Sequence, residues 1–200
     1  MTDEPHVLVE RDGAVAVVTL NRPKQLNALS DELMKALVEQ LTELDADDAV
    51  RCIVITGNEL QMACDLAVMV DGAFIRHVGP EHGSVPAGGA TQWLTIMVGD
   101  RRAREIVLMC EEIPAAKAEE WGLVNRVVPA EELDAEVDHM VENLARKLPQ
   151  TTRYAKQHLN FWRDLAWHET INHARDWLAL SMATEEPQAA IKRFLEKKSE

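Results

Sequence analysis

Basic residues, aromatic residues and cysteines are all scarce in this sequence of 200 residues. Lysine and arginine together number 21 against 34 acidic residues, so the formal net charge is -13 at pH 7. A nucleic-acid-binding protein needs a basic face for the phosphate backbone, and this balance argues against that class. No apolar run approaches the length of a membrane span, so we expect no membrane partner. An apolar fraction of 46% is typical of a globular protein with a packed core.

The three cysteines, Cys52, Cys64 and Cys110, are odd in number and widely spaced. Their spacing fits neither a disulfide framework nor a cysteine metal site, so we expect reduced thiols and no metal. No charged-then-apolar leader precedes the first apolar run. These features together predict a cytoplasmic protein.

The first third of the chain predicts strands and a helix in α/β order. Apolar runs at residues 6–10 and 14–20 flank an Asp-Gly pair, which is a strong hairpin signal. Ser30 is placed to cap a helix whose leucines repeat at helical spacing. Residues 51–56 then form a buried strand that ends at Gly57. We expect the segment after Gly57 to begin an apolar helix, with Glu59 at its start.

The remaining sequence changes from α/β character to nearly continuous helix. We expect an α/β core over residues 1–129 and a helical region over residues 130–200. Residues 78–94 are predicted to be a glycine-rich loop, and helices are predicted at 100–109, 115–121, 133–148, 151–165, 171–182 and 187–197. Three tryptophans in the helical region, Trp162, Trp167 and Trp177, exceed what a small core needs and favour a subunit interface.

Four stretches, in order, resemble segments of the enoyl-CoA hydratase/isomerase (crotonase) superfamily. They are VAVVTLNRPKQLNALS, GNELQMACDL, VPAGGATQWLTIMVGDRRAREIVL and AAKAEEWGLVNRVVP. The resemblance covers nearly the whole chain. It implies an α/β, crotonase-like (ClpP/crotonase) spiral of ββα units with a C-terminal helical region that associates into homotrimers or homohexamers.

The chain departs from the family pattern between Gly57 and Asn58. The family carries several tens more residues there, including a loop and a strand that donate the two backbone N–H groups of the oxyanion hole. Here the preceding strand runs directly into the residues that should follow that block. Thr56 and Gly57 are the remaining candidates for the oxyanion position. Either the sequence omits a segment, which we favour because a deletion would leave buried backbone groups unpaired, or the deletion is genuine.

The resemblance also suggests the catalytic groups. Typical family hydratases place two carboxylates around one water, one as base and one as acid. Glu59 falls at the first position, while a gap-free alignment puts Gly79 at the second. Glu81 and His82 follow shortly after and are candidate substitutes, although a solvated loop pair is the competing interpretation. For Glu59 the competing interpretation is a helix-start carboxylate, which stabilises by roughly 0.3–1 kcal/mol.

The resemblance further implies a substrate bound as its coenzyme A thioester, with no separate cofactor. Candidate CoA-binding residues are Arg22, Lys24 and Ala28 in the N-terminal loop, and Lys192, Phe194 and Lys197 near the C-terminus. Exposed basic surface is the alternative for these residues. The implied activity is enoyl-CoA hydration through a thioester enolate. Hydrolysis or isomerisation of a cyclic acyl-CoA, as in the ring-opening and dihydroxynaphthoyl-CoA synthase branch, and a catalytically impaired CoA-binding scaffold remain alternatives.

Overall fold

A computed structural model of the chain describes residues 5–25, 27–57, 60–86 and 88–197. The chain forms two compact units, the first from residues 1–64 and 134–153, the second from residues 65–133 and 154–200. Residues after 130 therefore contribute to both units. The predicted boundary at residue 129 divides an α/β core from a helical region on the basis of helix content, and it stays a prediction. None of the helices in the described ranges combines the length and the apolar character needed to cross a membrane.

The first unit contains a three-stranded sheet in the order β1-β2-β3. β1 (Val7–Asp12) pairs antiparallel with β2 (Val15–Leu20), and β2 pairs parallel with β3 (Cys52–Thr56). The predicted hairpin is confirmed, with Gly13 at a φ of 55° in the turn. A positive φ there suits the tight connection, because glycine has no Cβ to oppose it.

The core of the first unit lies between this sheet and helix α1 (Asp31–Asp45). Ser30 caps α1, since its hydroxyl accepts a hydrogen bond from the Leu33 backbone N–H at 3.3 Å. The leucines of one helix face then meet alternate residues of β2, which is why both patterns are buried. The buried set is Val7, Ala16, Val18, Leu20, Leu33, Leu37 and Leu44. Helix α5 (Leu133–Ala145) completes this unit, and Arg51 donates to the carbonyls at its C-terminal end.

The second unit pairs short strands and packs helices on them. β4 (Val68–Val70) lies parallel to β7 (Arg126–Val128), and β5 (Phe74–Ile75) lies antiparallel to β6 (Ile113–Pro114). The helices are α2 (Ala90–Val98), α3 (Asp100–Met109), α4 (Ala115–Trp121) and α7 (Glu185–Lys197). Helix α6 (Pro149–Met182) begins among the residues of the first unit and continues among those of the second.

Three sequence predictions are wrong in their local structure. The segment after residue 59 is a 3-10 helix of four residues, Leu60–Ala63, and not an apolar helix. The predicted loop at 78–94 already contains the start of α2, which runs from Ala90 to Val98. The two helices predicted between residues 151 and 182 are one continuous helix, because residues 166–170 contain neither glycine nor proline to end it.

Replacement of Leu33 by alanine should destabilise the first unit, because this side chain has no exposed surface. We expect the free energy of unfolding to fall by about 2–5 kcal/mol. Val38 lies on the same helix and is 56% exposed, so Val38→Ala should change it by less than about 0.5 kcal/mol. Urea unfolding followed by circular dichroism measures both. Equal losses in the two variants would contradict the buried position of Leu33.

Candidate active site

The first candidate residue, Glu59, lies outside the described residues, as does Asn58. The structure describes what precedes and follows them. β3 ends at Thr56, and the 3-10 helix Leu60–Ala63 begins immediately after the pair. In the sequence, Glu59 comes three residues after Thr56, the last residue of this parallel strand. The roles predicted for Glu59 stay predictions.

Thr56 and Gly57, the candidate oxyanion residues, are both exposed. Gly57 has a φ of 142°, and a Cβ placed on it would lie 2.8 Å from the Leu20 side chain. Both the backbone conformation and the packing against Leu20 therefore require glycine at this position. These two constraints explain Gly57 without any role in catalysis.

Glu81 and His82 lie on a short turn in the second unit. The turn is a 3-10 helix, Pro80–His82, between Gly79 and Gly83. Backbone hydrogen bonds close it, because the His82 N–H donates to Val78 and Gly79, and the Ser84 N–H donates to the Gly79 carbonyl at 2.8 Å. Both side chains are exposed. The sequence placed these residues in one loop, and the structure brings them together on one turn.

Arg76 holds the Glu81 carboxylate. Its Nη2 donates to Glu81 Oε2 at 2.5 Å, while its Nε donates to the Cys110 carbonyl at 2.7 Å. The guanidinium thus connects the turn to the C-terminal end of α3. The two paired side chains are 37% and 45% exposed, so solvent reduces the energy of the ion pair. The pair rests on one hydrogen bond from Nη2, because Nε of the same guanidinium is bound to the Cys110 carbonyl.

A surface cavity of about 640 Å³, largely open to solvent, adjoins this ion pair. Its walls comprise Arg76, Pro80, Glu81 and residues 108–112. Leu108 and Met109 supply apolar surface, and Glu111 and Glu112 add two more carboxylates. Leu108 and Met109 are 66% and 59% exposed, so the cavity presents solvent-accessible apolar surface beside carboxylates. Sequence reasoning missed Arg76, Glu111 and Glu112, because no local motif marks them.

Gly79, which the resemblance puts at the position of the family's second carboxylate, has surroundings that leave little room for a side chain. A Cβ on Gly79 would lie 3.1 Å from the Ser84 carbonyl oxygen and 3.2 Å from His77 Nε2. The imidazole tip of His77 therefore borders the space that a side chain at this position would enter. His77 Nε2 is buried without a hydrogen-bond partner, and burial lowers the pKa of His77, which favours the neutral ring. No sequence signal distinguished His77.

The N-terminal CoA candidates form one closed loop. The Arg22 backbone N–H donates to Asn27 Oδ1 at 2.7 Å, and Arg22 Nη1 donates to the Ala28 carbonyl at 2.5 Å. Asn27 has a φ of 56°, which allows the chain to turn back on Arg22. Lys24 is exposed in the 3-10 helix between them. The structure thus brings Arg22, Lys24 and Ala28 together, with part of the Arg22 hydrogen-bonding capacity already used.

The C-terminal CoA candidates lie on α7. Lys192 is exposed and its Nζ is 4.0 Å from Glu196 Oε1. The side chains of Phe194 and Lys197 lie outside the described residues. Within the described ranges, no group of three histidine, cysteine, aspartate or glutamate residues could hold a metal ion.

The sequence matches the family model described as enoyl-CoA hydratase/isomerase in two segments, residues 10–59 and 56–200. Together the segments cover most of the chain. They meet at residues 56–59, where the sequence also departs from the family pattern.

Two relatives with assigned names align over nearly all of this chain. A probable enoyl-CoA hydratase of Mycobacterium bovis is 27% identical over 246 residues, which include 96% of each chain. A probable mitochondrial enoyl-CoA hydratase of Dictyostelium discoideum is 28% identical over 243 residues, with 95% of this chain and 88% of the relative covered. Both alignments are longer than the 200 residues of this chain, so the relatives contain residues that have no counterpart here.

Solved structures share the fold. An enoyl-CoA hydratase from Mycobacterium avium subsp. paratuberculosis K-10 superposes with a TM-score of 0.89 at 22% identity, covering 96% of both chains. A carnitinyl-CoA dehydratase from Mycobacterium avium 104 also gives 0.89, at 20% identity and 97% coverage of both chains. These likenesses confirm the crotonase-like α/β fold expected from the sequence. The chain belongs to the enoyl-CoA hydratase/isomerase family.

Proposed function

We propose that the protein is an enoyl-CoA hydratase, which adds water across the C2–C3 double bond of an enoyl-CoA thioester. The family match over most of the chain carries this proposal. The names of the relatives from Mycobacterium bovis and Dictyostelium discoideum support the choice of hydratase within the family.

In this reaction the water oxygen bonds to C3 of the substrate, and a proton is added at C2. Negative charge collects on the thioester oxygen as the enolate forms. Two backbone N–H groups aimed at that oxygen would stabilise it, each by about 2.7–4 kcal/mol. Glu59 is the group that would take a proton from water, since a carboxylate within hydrogen-bond reach of water is a suitable general base.

Glu81 is our candidate for the second proton-transfer group, and His82 is its neighbour on the same turn. Two observations support Glu81. Its carboxylate borders the 640 Å³ cavity, whose wall also contains the apolar side chains of Leu108 and Met109. It accepts a hydrogen bond from Arg76, which is itself bound to the Cys110 carbonyl.

The CoA moiety enters as part of the substrate, so the proposed reaction needs no separate cofactor. Arg22 and Lys24 are cations on one loop with Ala28, a suitable arrangement for the phosphates of CoA. Lys192, Phe194 and Lys197 on α7 are the second set of candidates.

We further propose that the protein acts in the cytoplasm as a homotrimer or homohexamer. The support is a large exposed apolar set on α6, where Phe161, Trp162 and Trp177 are 64%, 69% and 63% exposed. Aromatic side chains are enriched in the buried centres of subunit interfaces.

A CoA-binding scaffold without catalysis is the second candidate, and the junction at Gly57 is the observation that favours it. The family model matches in two segments that meet there. By the resemblance to the family, the segment absent from this sequence is the one that would supply the oxyanion N–H groups. Mass spectrometry of a tryptic digest distinguishes the two cases. A peptide spanning residues 52–76 without interruption establishes the junction in the protein itself.

Replacement of Glu59 should abolish most of the hydratase activity. With crotonyl-CoA as substrate, Glu59→Gln should reduce kcat by about 10²–10⁴-fold, because the amide cannot accept the proton from water. Glu39→Gln, an exposed glutamate on α1, is the matched control and should retain wild-type rates. Loss of absorbance of the enoyl thioester measures the rate. Wild-type activity in Glu59→Gln would remove this residue from the mechanism. If the unmutated protein binds CoA but does not hydrate crotonyl-CoA, the scaffold is favoured.

Light scattering coupled to gel filtration should give a mass of three or six times 22.4 kDa. Trp162→Asp should shift the protein toward smaller species, since it places a charge in the proposed interface. Asp164→Ser is the control, because residues two positions apart project from different sides of a helix. A wild-type monomer would contradict the proposed assembly.

A further inference from the structure

Gly83, at the end of the Pro80–His82 turn, touches the backbone of helix α7. A Cβ on Gly83 would lie 2.7 Å from Pro187 Cα and 3.1 Å from Pro187 N. Ala190 Cβ, one turn later on α7, would be 3.3 Å away. Pro187 is fully buried and Ala190 is 5% exposed, so this is a dry, closely packed contact.

The same turn is also contacted by Arg76, which donates a hydrogen bond to the Glu81 carboxylate. Its internal hydrogen bonds fix its shape but do not attach it to the rest of the unit. Arg76 and α7 are therefore two attachments of the turn in the second unit, one through a side chain and one through the backbone.

We propose that Gly83 and Pro187 are positioning residues that hold the Glu81 turn against α7. This rests on the proposed function, in which Glu81 transfers a proton at the cavity. Gly83 has two independent reasons to be glycine, a φ of 73° and the approach of the Pro187 backbone. Backbone atoms cannot rotate away as a flexible side chain can, so any larger residue at position 83 separates the turn from α7.

The chain offers a matched control for the backbone conformation. Gly72, in the turn after β4, has a φ of 74°, but a Cβ there would meet nothing within 4 Å. Gly72→Ala therefore introduces the same left-handed strain as Gly83→Ala without the steric contact. The difference between the two variants isolates the contact with α7.

Hydrogen exchange measured by mass spectrometry tests the attachment without turnover. Gly83→Ala should accelerate exchange in the peptide covering residues 74–86, where the His82, Gly83 and Ser84 amides are hydrogen-bonded in the turn. Gly72→Ala should leave that peptide unchanged. Pro187→Ala removes the buried ring while preserving glycine at position 83, and should accelerate exchange in the same peptide. Unchanged exchange in both the Gly83 and Pro187 variants would overturn the proposal.

Steady-state kinetics with crotonyl-CoA then tests the consequence for catalysis. Gly83→Ala should lower kcat by about 10–100-fold with KM within two-fold of wild type, because misplacement of a reacting group affects the chemical step. Gly72→Ala should keep the wild-type kcat. Faster exchange with unchanged kcat would overturn the positioning role. Absence of wild-type turnover would instead refute the proposed hydratase, while the exchange result would still decide whether α7 holds the turn.

Discussion

Arg76 makes the contact on which the candidate site in the second unit depends. It is the residue after β5. Its guanidinium donates to the Cys110 carbonyl at the end of α3 and to Glu81 on the following turn. One guanidinium can do this because its donors lie in a rigid plane and point in different directions. A lysine could supply the charge, but its donors lie on a single nitrogen and not on two separated nitrogens such as Nε and Nη2. The position of the cavity beside Glu81 therefore depends on a residue type as well as on a charge.

Cys110 shows what this arrangement requires of the backbone. It has a φ of 54°, a conformation that residues with a Cβ rarely adopt, and its side chain is buried. This conformation ends α3 and leaves the Cys110 carbonyl as the acceptor for Arg76 Nε. A backbone conformation of this kind persists because the surrounding contacts favour it, and here both the packing of the thiol and the bond to Arg76 do so.

The parts of the fold that depend on residues close together in the sequence could be predicted from the sequence. The hairpin signal at Asp12-Gly13, the Ser30 cap and the leucine face of α1 are local signals, and the structure confirms the elements that they predict. The bond from Arg76 to Cys110 joins residues 34 positions apart, and no local pattern marks it. The candidate site shows the same limit. The sequence pattern of their loop marked Glu81 and His82 as candidates. Only the three-dimensional contacts identify Arg76, His77 and residues 108–112 as neighbours of their turn.

Gly72 and Gly83 have nearly the same positive φ, but they carry different information about related sequences. At position 72 the requirement is only conformational, so asparagine or aspartate could replace glycine at modest cost. At position 83 the Pro187 backbone excludes every side chain. A relative with a larger residue at the position of Gly83 must therefore place its last helix differently. Residue 83 is thus a sequence marker for the way in which α7 packs, and residue 72 is not.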